Sequence, residues 1–191
     1  MAAIMCTLKL KKALKRTAQS RRNTKQEAVA GVRLGNWAAT VIRGQKTDLV
    51  VALNERTYLT LVFPLKPLRA FRRNFAQALT AALLDHGVAR ALIPPECAQI
   101  KAAPIVRVRD ETLKAAVDAA SFIASIETCY HDELRDVQWN ANQFPHGTVK
   151  PCVPTEGVRL LFGVRKDNCA PGVGPRASRR PRVTVSTATR D

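Results

Sequence analysis

A chain of 191 residues with 46% hydrophobic content can bury one substantial core, so one domain with tails is expected. Its five cysteines are scattered and form no Cys-x-x-Cys pair, which argues against a disulfide framework or a zinc ribbon and for reduced thiols in a cytosol. No apolar run approaches the roughly twenty residues of a membrane span, so a soluble protein with no membrane partner is expected.

The net charge of +16 is segregated along the chain. Residues 1–30 carry 8 basic and 1 acidic side chains, residues 31–109 carry 12 and 4, residues 110–163 carry 4 and 8, and residues 164–191 carry 7 and 2. An acidic third segment inside a basic chain means that the basicity is placed, as in a protein whose partner is an anion such as DNA or RNA. Many small basic proteins bind no nucleic acid specifically, and charge alone leaves the two readings balanced. The first 25 residues are rich in Lys, Arg, Leu and Ala with no acidic residue, a composition shared with transit peptides, whereas Lys9, Lys11 and Lys12 interrupt any secretory signal.

In chain order, residues 4–7 read as a short edge strand. Residues 8–17 read as a helix with Leu10, Ala13 and Leu14 on one face and Lys9, Lys12 and Arg16 on another. Residues 19–30 are polar, basic and aperiodic, a flexible loop. The stretch 34–65 is the best defined. Trp37, Ala39 and Val41 alternate on one strand, Leu49, Val51 and Leu53 on a second, and Leu59, Leu61 and Phe63 on a third. Gly44-Gln45-Lys46-Thr47 has the glycine for a positive-φ hairpin loop, and Asn54-Glu55-Arg56-Thr57 begins with a strong turn starter. A three-stranded antiparallel meander follows, and so small a sheet needs a helix against it.

Pro64 and Pro67 end the third strand, and residues 68–86 form the covering helix, closed by Gly87. Leu68, Phe71, Phe75, Leu79, Ala82 and Leu83 make its apolar stripe. Lys66, Arg69, Arg72 and Arg73 crowd its first turns, where each cation opposes the helix dipole by ~0.3–1 kcal/mol unless an anion offsets it. Pro94-Pro95 marks a break. Residues 105–109 read as a fourth strand, with Val106 and Val108 inward and Arg107 and Arg109 on the other face. Asp110 N-caps a second helix running to about residue 134, with Leu113, Val117, Ala120, Ile123 and Ile126 as its stripe and Phe122 and Tyr130 flanking. Residues 136–163 are a polar linker ending in the apolar run Val158, Leu160, Leu161 and Phe162, a strand or helical turn. The remainder, 164–191, has almost nothing to bury and reads as a disordered basic tail. The expected fold is α+β: a small antiparallel sheet, the meander plus one or two further strands, covered by two main helices within residues 1–163.

Cys6-Thr7-Leu8-Lys9-Leu10, Leu34-Gly35-Asn36-Trp37 and Asn54-Glu55-Arg56-Thr57 resemble, in order and spacing, an uncharacterised bacterial domain-of-unknown-function family. The similarity covers residues 5–108 and, more weakly, 140–163. Many members have a Lys-Thr and an Asn-Arg-Ser stretch where this chain reads Arg109-Asp110-Glu111-Thr112-Leu113. The resemblance implies a bacterial cytoplasmic protein in which residues 6–10 belong to the fold, and it implies no activity.

No motif fixes a chemistry. His86 at a helix C-terminus is explained by the dipole. Cys129, His131, Asp132 and Glu133 are close in sequence, but a spacing of two turns Cys129 and His131 apart on a helix. Cys129, His131, His146 and Cys152 could supply zinc ligands, yet no spacing demands it. No phosphate-loop or dinucleotide fingerprint is present, and no cofactor or metal is expected. Trp37 and Tyr58 near Arg43 and Arg56 could stack bases, against the simpler reading as core. Arg176, Arg179, Arg180 and Arg182 suit non-specific electrostatic contact. The leading expectation is therefore a non-enzymatic nucleic-acid-associated accessory or regulatory protein. Its phosphate-facing residues would be Lys66, Arg69, Arg72, Arg73, Arg107 and Arg109, with Arg43 and Arg56. The alternatives are a protein-interaction module, with a protein partner or a second copy, and a small hydrolase or nuclease-like toxin using Glu55, His131 or Cys129.

Overall fold

The computed structural model describes residues 3–15, 31–44, 46–145 and 153–165. Five strands, β1 (Ile4–Cys6), β2 (Trp37–Arg43), β3 (Asp48–Asn54), β4 (Thr60–Pro64) and β5 (Ile105–Arg107), form one sheet in the order β4-β3-β2-β1-β5. The meander β2-β3-β4 is antiparallel, as its alternation and turns predict, whereas β1 and β5 join it in parallel. The sheet is thus mixed, and the fold is α+β. The expected edge strand β1 is interior, hydrogen-bonded on both sides. Ile4 and Cys6 are completely buried there, and their short alternation shows only that one face is apolar.

Both faces of the meander are covered. Trp37 lies opposite Asn54 and Val41 opposite Val50, so Trp37, Ala39, Val41, Val50 and Ala52 share one face. Leu49, Val51 and Leu53 share the other with Ala38 and Ile42. The apolar stripes read on β2 and β3 therefore point in opposite directions, a consequence of register that neither strand reveals alone. Gly44 closes its loop through an N–H bond to the Thr47 carbonyl at 3.0 Å. Its φ is not positive. Glycine is required by space, since a Cβ there would lie 2.7 Å from the Thr47 oxygen.

The Trp37 face packs against α1 (Leu8–Lys15), α2 (Phe71–Asp85), α3 (Ile93–Ala102) and α6 (Pro154–Phe162). Trp37, Phe63, Phe71 and Phe75 form its aromatic centre, Trp37 meeting Phe75 edge-on with centroids 5.2 Å apart. The predicted stripe of α2 is buried from Phe71 onward, whereas residues 68–70 form a separate 3-10 turn in which Leu68 is half-buried, and Gly87 follows with φ +79°. Pro94-Pro95 does not break the chain. The two prolines occupy the first turn of α3, where their missing N–H groups would have no helical partner in any case.

The opposite face carries α4 (Glu111–Tyr130) and α5 (Leu134–Ala141). Asp110 caps α4 as expected, its Oδ1 accepting from the Leu113 N–H at 3.0 Å. The helix ends at Tyr130 because His131 turns to extended backbone, and the expected linker after it holds α5 and α6. α5 also closes the β4 edge. Gln138 Oε1 accepts from Val62 N–H at 3.1 Å, while Asn142 accepts from Thr60 N–H and donates to its carbonyl, both at 2.7 Å. These amides occupy backbone groups that an edge strand otherwise offers to another chain. At the far edge, β5 departs from its predicted alternation: Val106 is 38% exposed and only Val108 is buried, because α4 covers β2 and β3 and stops short of β5. The predicted loop at 19–30 and nearly all of the predicted tail lie outside the described residues.

Candidate nucleic-acid interface

The C-terminal end of β2, the start of β3 and the exit of β4 meet at one end of the sheet. Arg43 pairs with Asp48 in register, and the Leu65 N–H donates to the Asp48 carbonyl at 3.0 Å. Arg43, Lys66, Arg69 and Arg73 are all exposed at this end, and exposed Lys46 in the hairpin loop joins them. Lys66, Pro67, Leu68 and Arg69 line a shallow open depression. The α2 helix begins here behind Ala70, with no side-chain cap and no acidic residue in its first turn. Among the described residues, Lys66, Arg69 and Arg73 have no ion-pair partner.

The other predicted cations are placed differently. Arg72 is partly buried, and its Nη1 donates to the carbonyls of Ile100 and Lys101 at 2.8 and 2.9 Å, closing the C-terminus of α3. Arg107 and Arg109 are exposed, but on the β5 edge. Four interstrand spacings, roughly 19 Å, separate that edge from β4. Arg56 lies at the opposite end of the β2–β3 hairpin from Arg43, roughly 20 Å along the strand. The eight residues therefore do not converge on one patch.

Arg56 belongs to a structural latch. Its Nη1 donates to the Arg33 carbonyl at 2.7 Å. Asn54, completely buried, accepts at Oδ1 from the N–H groups of Arg56 and Thr57 and from the Thr57 hydroxyl, and donates through Nδ2 to the carbonyls of Leu34 and Asn36. The Leu34–Trp37 and Asn54–Thr57 motifs are thus a single hydrogen-bonded unit. Glu96 completes it from α3, accepting from the N–H groups of Arg33 and Leu34 at 2.6 and 3.4 Å, with its carboxyl held above the ordinary range by burial. Sequence reading missed Arg33 and Glu96; an acid just past a proline pair signals only a helix first turn. Glu55 is exposed on this turn.

The nucleophile and stacking candidates are dispersed or buried. Burial pushes the Cys6 thiol up to about 12, with the charges of Lys11 and Arg72 opposing it, so no thiolate forms there near neutrality. Cys129 is exposed and turned toward the Ser125 carbonyl. His131 instead meets Asn140 at 2.8 Å and Glu127 at 3.3 Å. It lines a cavity of about 160 Å³ with Lys46, Thr47 and Asp132, at the hairpin end opposite Glu55. His146 and Cys152 lie outside the described residues, among which no three His, Cys, Asp or Glu side chains are grouped as metal ligands. Trp37 and Tyr58 are buried and offer no base-stacking surface. His86 is no exposed cap: only 1% accessible, it stacks near Trp139, and burial, reinforced by Arg159 and opposed by Asp85, lowers its pKa to about 4.

Among the described residues no helix is long and apolar enough to cross a membrane. No curated protein and no solved structure matches the chain. A family model described as a domain of unknown function (DUF6933) matches residues 3–151, most of the sequence, and the chain belongs to that family.

Proposed function

We propose that this is a non-enzymatic nucleic-acid-associated protein of the bacterial cytoplasm, an accessory or regulatory factor that holds a phosphate backbone. Its binding surface is the sheet end formed by Arg43, Lys46, Lys66, Arg69 and Arg73, with Arg107 and Arg109 as a second, separate contact. The observation that supports this reading is the start of α2. Three exposed cations without carboxylate partners sit where the helix dipole is also positive, an arrangement relieved by an external anion. The spacing between the two basic groups suits an extended polyanion rather than a single phosphate. Backbone contacts of this kind give affinity without sequence preference.

The test is a salt titration of binding to duplex DNA, single strands and RNA. The logarithm of affinity should fall linearly with the logarithm of salt concentration. On duplex DNA, K66E/R69E/R73E should lower the magnitude of that slope by about 0.9 for every phosphate that the variant no longer neutralises. Absence of binding at about 50 mM salt, or a triple variant with unchanged affinity and slope, would overturn the proposal.

A further inference from the structure

The sheet-facing side of α4 is occupied by Leu113, Val117, Ala120 and Ala124, and its solvent side carries an uncharged strip beside the exposed Glu111, Lys114 and Asp118. Thr112, Ala115, Ala119, Phe122, Ile126 and Cys129 are all exposed and follow one another at spacings of 3, 4, 3, 4 and 3. That is the a/d spacing of a coiled-coil seam, and no charged side chain interrupts it. Among its neighbours, Tyr130 is 76% exposed and Phe122 on the seam is 67% exposed, more than isolated surface apolar residues require. The seam is also polarised, with small residues in its first half and large ones in its second.

We infer that α4 is a homodimer interface in which two copies of the helix pack antiparallel about a two-fold axis passing between residues 120 and 121. In that register Ala119 faces Phe122 of the second copy, Ala115 faces Ile126 and Thr112 faces Cys129. Each layer joins a small side chain to a larger one, as an a position meets a d position in antiparallel pairs. Parallel pairing would instead set Phe122 against Phe122 and Ala119 against Ala119, leaving alternate layers overfilled and hollow. On one flank Asp118 falls beside Ser125 of the second copy, and on the other Ile123 and Tyr130 extend the apolar strip. The face offers roughly 500 Å² per copy, about 1,000 Å² in all, the lower bound for a specific interface, so the dimer should be concentration-dependent. This site is independent of the basic surface. α4 and α2 lie on opposite faces of the sheet, and the dimer leaves both α2 N-termini free.

Sedimentation equilibrium across a wide concentration range should show a mass rising from 21.0 kDa toward twice that value. F122E and I126E should abolish the rise while leaving the circular dichroism spectrum unchanged, and the melting temperature unchanged at concentrations where the parent is monomeric. In a background with Cys97, Cys152 and Cys169 replaced by serine, T112C should yield a covalent dimer on mild oxidation through pairing with Cys129, and the parent should not. A protein that stays monomeric at millimolar concentration, or a dimer insensitive to F122E, would overturn the proposal. So would a Cys129–Cys129 cross-link in the parent, which reports parallel packing, or a mass that rises only with a co-purifying protein.

Discussion

Asn54 shows how much of this fold passes through single side chains. Its amide makes five hydrogen bonds while completely buried, so Asn54→Ala removes them and strands the carbonyls of Leu34 and Asn36. A loss of about 3 kcal/mol in urea denaturation is expected. The residue was recognisable as a turn starter because Asn favours that position in any short loop. Its burial was not, because the groups it serves lie 18 and 20 residues away. His86 makes the same point through pH. With its pKa at about 4 in the folded protein against 6.5 when free, the unfolded chain alone takes up a proton as the pH falls below 6.5. Stability should therefore decline between pH 6.5 and pH 4 and stop declining from this source below that, by about 3 kcal/mol at most. His86→Gln should flatten that part of the profile, read as the difference between variant and wild-type urea midpoints at about pH 7 and about pH 4.5.

Among the elements, those with long local patterns were legible. The stripes of α2, the cap of α4 and the alternation of the meander each repeat often enough to exclude another structure. α3 was hidden, because a proline pair has the same composition whether it ends a helix or begins one. α2 also carries the sharpest separation of roles between neighbours. Arg72 closes α3 through two carbonyls, so Arg72→Ala should lower stability by about 1–3 kcal/mol. Arg73 is exposed and unpaired, so Arg73→Ala should leave the urea midpoint unchanged and weaken nucleic-acid binding. At the other side of the sheet, Gln138 and Asn142 hold the β4 edge. Replacing both with alanine should expose a strand edge and raise aggregation, measured by light scattering on incubation of the concentrated variant.

For the whole molecule, α1 and α2 of the basic part lie on one face of the sheet and α4 and α5 of the acidic segment on the other, while α6, from the same acidic segment, packs with the basic helices. The cations of the proposed nucleic-acid surface gather at one end of the sheet, around the start of α2, and α4 carries the uncharged outer seam. The polyanion and the second copy of the two proposals would occupy different surfaces. The charge segregation was visible from residue counts, but which cations are free was not. Arg72 and Arg56 look identical to Arg73 and Arg69 until the carbonyls that consume them are in place.

By itself the sequence determined the α+β class, the meander, the two principal helices and the uneven charge, because periodicity, turn chemistry and residue type are local properties. Only the tertiary structure decided that β1 runs parallel inside the sheet and that both faces are buried. The same structure withdrew half of the α4 stripe into the core and left the other half facing water, and it engaged Arg56 and Arg72 with backbone carbonyls. Those outcomes depend on register and on hydrogen-bond partners tens of residues apart. No local pattern encodes them, since a strand with two apolar faces and a cation with a distant carbonyl have the same local sequence as their exposed counterparts.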